Sequence, residues 1–108
     1  MEVLFGLDEN SSEEEIRRKA FELIGKIRFI PAATKKGDSV DIRILDFNQL
    51  SDGQLYFMTS KGKPVYKQLT DEPFLAINTL YKERYSIRLN TRVEENHDPE
   101  IWEEFFSL

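Results

Sequence analysis

The chain has 108 residues and no cysteine, so it can form no disulfide, no thiolate nucleophile and no cysteine-held zinc or iron–sulfur centre of its own. Any redox chemistry here needs a borrowed cofactor. There is a single histidine, His97, in the acidic run Glu94-Glu95-Asn96-His97-Asp98. It lacks the second histidine or cysteine of a zinc site and the serine-centred setting of a triad, so it reads as a loop residue and no metal site is expected. No apolar run approaches the length that crosses a bilayer, and Met1-Glu2-Val3-Leu4-Phe5-Gly6 has no basic leader region, so the expectation is a cytoplasmic protein with no membrane partner. A basic excess is also missing. The formal net charge is -5, against the positive face that gives nucleic-acid binders most of their affinity, so no nucleic acid is expected as a partner. No internal repeat, low-complexity tract or interior linker interrupts the chain.

Hydrophobic residues make up 40% and charged residues 32%, which excludes a disordered chain and fits one globular domain, 1–108. A domain this small gains from a dimer interface. Ser11 and Ser12, each followed three residues later by a glutamate, form overlapping capping boxes, and Glu13, Glu14 and Glu15 mark a helix start rather than an acid–base pair. The spacing of Ile16, Ala20, Leu23, Ile24 and Ile27 predicts a helix to about Ile27 that packs one face.

From Phe29 the period changes to two. Strands are expected over Phe29–Thr34, Val40–Phe47, Leu55–Ser60, Phe74–Leu80 and Tyr85–Val93, the first three forming an antiparallel meander through the turns Lys36-Gly37-Asp38-Ser39 and Ser51-Asp52-Gly53-Gln54. In the second strand, alternation separates Val40, Ile42 and Ile44 from Asp41, Arg43 and Leu45, and the first set is read as the core face. In the last, Tyr85, Ile87, Leu89, Thr91 and Val93 share one face. A short helix is expected over Pro64–Leu69 and another over Pro99–Leu108. Trp102, Phe105 and Phe106 of that last helix either cap the barrel or a dimer, or belong to a shortened version of a longer chain. The fold class is mostly β (α+β), a small antiparallel split β-barrel with flanking helices.

The densest chemistry lies between Thr59 and Gln68. Two hydroxyls, Thr59 and Ser60, precede Lys61 and Lys63, and Pro64 suits the first helical position, where free amides favour an anion. This is a phosphate grip, though not a nucleotide P-loop, because Gly62-Lys63 is followed by Pro64 instead of Ser or Thr. The bland alternative is a solvated lysine-rich surface containing Lys61, Lys63 and Lys67. Arg43 also has two readings, a ligand to the same group or a strand arginine paired with Asp41 or Asp46.

The runs Val40-Asp41-Ile42-Arg43-Ile44-Leu45, Asp52-Gly53-Gln54-Leu55-Tyr56-Phe57-Met58-Thr59-Ser60, Lys63-Pro64-Val65-Tyr66-Lys67-Gln68-Leu69 and Asp71-Glu72-Pro73, followed by Tyr85-Ser86-Ile87-Arg88-Leu89, resemble in order and spacing the FMN-binding split-barrel family, the pyridoxamine 5'-phosphate oxidase-like proteins. The chain departs from that pattern at Val40, at Asn90-Thr91 and in lacking a final strand. The resemblance implies a homodimer with FMN in clefts at the subunit interface. It places Arg43 and Ile44 along the ring and ribityl chain, Thr59 and Ser60 near the ring or phosphate, and Lys63 and Gln68 on the phosphate side, with Lys61 as a further candidate. The activity it implies is an FMN-dependent reductase or oxidase of a small-molecule substrate, the flavin itself carrying the electrons. The alternative is a non-enzymatic flavin- or small-ligand-binding module for storage or sensing. No catalytic residue is assigned.

Overall fold

A computed structural model describes Leu7 and residues 10–108; the start Met1–Gly6, read above as carrying no leader, lies outside the described residues. Helix α1 runs over Glu13–Ile27, and of the two candidate caps it uses Ser12, whose hydroxyl accepts the Glu15 N–H at 3.1 Å. Phe21, Leu23 and Ile24 are its buried residues. Ile16, expected on that face, is 47% exposed. The helix stops at Arg28, whose φ of 71° turns the chain sharply while its N–H still bonds the Ile24 carbonyl at 2.8 Å.

The strands β1 (Phe29–Lys36) and β2 (Ser39–Asp46) form a hairpin through Gly37-Asp38, with Gly37 at φ +58°, the left-handed conformation a two-residue turn demands of its first residue. The short pair β3 (Asn48–Gln49) and β4 (Leu55–Tyr56) comes next, followed by α2 (Pro64–Asp71). Strands β5 (Phe74–Tyr81) and β6 (Tyr85–Arg92) and helix α3 (Pro99–Phe106) complete the chain. The main sheet is antiparallel in the order β2-β1-β5-β6, and β3-β4 form a separate two-stranded sheet. Among the described residues the two sheets do not close into a barrel.

Two expectations need correction. First, the meander ends after two strands. The chain leaves the sheet at Phe47, which is 1% exposed and donates its N–H to the Arg28 carbonyl at 2.8 Å, and the third segment pairs with β3 instead of β2. Because β3 offers only two residues, Leu55–Ser60 keeps strand form only at Leu55 and Tyr56. Helix α1 closes against β3 at Gly25, where a Cβ would lie 3.2 Å from the Gln49 nitrogen. Second, the faces of β2 are the reverse of those expected. Ile30, Ala32 and Thr34 of β1 point inward, and their register partners are Leu45, Arg43 and Asp41. Val40, Ile42 and Ile44 therefore lie on the outer face, 61%, 64% and 58% exposed. The interior is Ile24, Ile30, Ala32, Leu45, Phe47, Leu75 and Ile77, with Phe57 set edge-on to Phe47 at 5.6 Å and Ile87 and Leu89 of β6 packed from the side.

Candidate functional site

Helix α2 lies across the inner end of the β1–β2 hairpin and buries Val65, Gln68 and Leu69. The 3.6-residue period places Gln68 on the same face as Val65, so a polar side chain is driven into an apolar contact and must find partners there. It finds three. Its Oε1 accepts from the Thr34 hydroxyl at 2.6 Å and from Arg43 Nη2 at 2.6 Å, and its Nε2 donates to Asp41 Oδ2 at 3.0 Å. Arg43 Nη1 also donates to Thr34 Oγ1 at 2.8 Å and to the Ala32 carbonyl at 3.2 Å, and Nη2 stands 3.3 Å from Asp41 Oδ2. The Gln68 hydrogen bond, then the Arg43 charge, hold the Asp41 carboxyl below its usual range despite partial burial. Asp46 goes instead to Arg28, bonded twice at 3.0 and 2.7 Å, which fixes the partner of each strand carboxylate.

The structure thus brings Arg43 and Gln68 into one network. Ile44, next to Arg43 in sequence, faces the opposite side of the sheet. Thr59, Ser60, Lys61 and Lys63 lie together on the irregular segment between β4 and α2, closed by a bond from the Lys63 N–H to the Ser60 carbonyl at 3.0 Å. Lys63 occupies the cap position of α2 in extended conformation, and its side chain bonds none of the first-turn amides. Among the described residues neither Lys61 nor Lys63 forms an ion pair within 4 Å, although the Lys61 charge helps to lower the Glu95 carboxyl, whereas Lys67 is held by Asp71 at 2.8 Å. The Thr59 Oγ1 is buried with no hydrogen-bond partner, the one such side-chain atom among the described residues.

Thr34 and Asp41 were missing from the sequence-derived site. The hairpin register, in which they are directly opposite one another, carried the signal for both. On the far side of Gln68 a groove of about 540 Å³ runs between the hairpin and α2, with Lys35, Lys36, Lys67, Asp71 and Glu72 on its walls. Lys35 pairs with Glu72 at 3.5 Å and Lys67 with Asp71, so its charge is largely balanced. Among the described residues no group of three metal-ligating side chains occurs, and no helix is long and apolar enough to cross a membrane.

A four-stranded antiparallel sheet, a separate two-stranded sheet and three helices make a mixed α+β fold, and its structural likeness places it in the split-barrel type. A solved structure that it resembles is a NimC/NimA family protein from Clostridium acetobutylicum, of the pyridoxamine 5'-phosphate oxidase-like fold, with a TM-score of 0.74 and 24% sequence identity. The match covers 84% of this chain and 66% of that one, so the chain spans just under two-thirds of its neighbour's length. At this identity the likeness shows the fold alone. No protein-family profile matches the chain, and no curated protein does.

Proposed function

We propose that the chain is an FMN-binding flavoprotein, an FMN-dependent oxidoreductase of a small molecule. Thr59 carries this reading. A buried hydroxyl without a partner costs about 1–3 kcal/mol, and this one is next in sequence to Ser60 and Lys61 and leads into the start of α2, where Lys63 caps no amide and forms no ion pair, a donor set suited to a phosphate. In this reading Thr59, Ser60, Lys61 and Lys63 hold the phosphate end. Arg43 and Gln68, already locked to Asp41 and Thr34, form a stiff floor that keeps α2 in place relative to β2. Ile44 contributes an apolar surface on the outer side of β2, available to a ring only where a second copy closes over it. A homodimer is part of the same proposal, supported by the apolar outer face of Phe29, Val40, Ile42, Ile44, Phe74 and Leu80. The flavin, when bound, supplies hydride and electron transfer.

The test is Thr59→Val, which replaces the orphan hydroxyl with a methyl of similar size. The expected result is a melting temperature of the ligand-free protein that is unchanged or raised, together with FMN affinity lowered roughly tenfold, as for a lost hydrogen bond to a charged group. Unchanged FMN affinity would make the hydroxyl a packing defect. Turnover of NADH or NADPH with an acceptor separates the enzyme from the second reading, a flavin-holding module without turnover.

A further inference from the structure

Helix α3 is amphipathic but has no buried residue. Trp102 and Phe106, one turn apart with ring centres 5.6 Å from each other, are 41% and 64% exposed. The helix is nevertheless fixed in position. Asp98 caps it by accepting the Glu100 N–H at 2.9 Å, Trp102 Nε1 donates to the Asn96 carbonyl at 2.7 Å, and the Glu104 carboxylate accepts the Ser51 N–H at 2.8 Å and the Ser51 hydroxyl. The aromatic edge is thus held out from the molecule, with the carboxylates of Glu100 and Glu103 beside it and no ion pair for either among the described residues.

Elsewhere on the surface lies its complement. A groove of about 470 Å³ on the main sheet has an apolar floor of Ala33, Val40, Phe74 and Ala76, with Asn90, Arg92 and the mutually paired Lys35 and Glu72 at its rim. Arg92 stands over the Phe74 ring at 5.9 Å, and neither it nor Arg88, four residues back on the same outward side of β6, forms an ion pair among the described residues. No residue of α3 lines the groove, and Glu104 keeps the helix on Ser51, so a chain does not fill its own groove with its own helix.

We infer that the occupant is a second copy of this chain, whose α3 seats Trp102 and Phe106 in the groove and sets Glu103 against Arg92 and Arg88. Charge complementarity supports this arrangement, because the α3 edge carries Glu100 and Glu103 outside any ion pair while the groove side carries Arg88 and Arg92 outside any ion pair, and a two-fold axis relates the copies. In the helix-in-groove arrangement the same two-fold axis makes the contact twice and places an acid at each base. This inference names the contact within the homodimer proposed above and does not depend on the flavin.

Trp102 is the chain's one tryptophan and reports the contact directly. Sedimentation and tryptophan emission with acrylamide quenching are measured together over a dilution series of the full chain, with flavin content read separately from visible absorbance. The expected result is a dimer in which Trp102 emits to the blue and is shielded, and both properties are lost together on dilution. Arg92→Glu should weaken association roughly tenfold or more, and Arg92→Glu combined with Glu103→Arg should restore it. Phe106→Ser, at an exposed position whose ring meets its helix neighbours Trp102 and Phe105, should weaken association from the helix side, and circular dichroism checks that each variant is folded. A chain monomeric at every concentration, a dimer with Trp102 still fully quenchable, or association unchanged by Arg92→Glu and Phe106→Ser would each overturn the inference.

Discussion

Arg43 and Lys63 show how the same charge takes different work from its surroundings. Arg43 spends both terminal nitrogens on Thr34, Gln68, Asp41 and the Ala32 carbonyl, so its charge is committed inside the chain. Lys63 has no acid partner among the described residues and remains available to a ligand. Lys63→Ala should therefore weaken FMN by roughly 1.5–3 kcal/mol but leave riboflavin, which lacks the phosphate, nearly unchanged. Equal losses for the two ligands in parallel titrations would remove Lys63 from the phosphate. Asp41 contributes to the acid limb of stability alongside Glu22, Asp46 and Glu95, whose carboxyls are also lowered by basic or hydrogen-bonding partners. The Asp41 carboxyl titrates below the ordinary 3.8 in the folded chain, so the folded state is favoured above that pH and loses this contribution as pH falls through 3.8 toward the lower folded value. Asp41→Asn should lower the melting temperature at neutral pH and make it less steeply dependent on pH in the acid range. An acid limb of the same steepness in Asp41→Asn and the parent chain would show that Asp41 adds nothing to that of Glu22, Asp46 and Glu95. The pairing of Arg43 with Asp41 was one of two readings open in the sequence. The role of Gln68 as their common partner was not, because it depends on α2 lying across a hairpin 25 residues away in the chain.

At the scale of elements, the signals that read well were local ones. The Ser12 cap, the Gly37 turn, Pro64 and Pro99 at helix starts, and the alternation of β6 all sit where propensity and period placed them, since each depends on neighbours a few residues away. The inward face of β2 was misread because alternation fixes two faces without saying which is covered. Val40, Ile42 and Ile44 are the more apolar set, yet the register with Ile30, Ala32 and Thr34 turns them outward. The third strand is cut to Leu55–Tyr56 because its partner β3 is only two residues long, which no property of Leu55–Ser60 itself reveals. The β5–β6 hairpin holds a further consequence. Lys82 and Glu83 adopt φ of 54° and 57°, the left-handed region that costs most side chains and that Asn-Gly occupies readily. Replacing them as Lys82→Asn and Glu83→Gly should stabilise the protein by about 1–2 kcal/mol, seen as a raised melting temperature. No rise would mean that the turn relaxes at no cost in solution.

The whole molecule presents two surfaces that a single copy leaves open, the polar segment leading into α2 and the apolar outer face of the sheet. The split-barrel type of fold follows from the sheet order and from the likeness to the NimC/NimA family protein, and the ordering of motifs along the chain had already pointed to it. FMN binding goes one step further and is measured most directly by the visible absorption spectrum of the full chain purified without added cofactor, followed by titration with FMN. We predict a flavin spectrum, or uptake on titration, saturating at about one FMN per chain, as for a preformed single-ligand site. A colourless protein that takes up no FMN in excess would contradict the account.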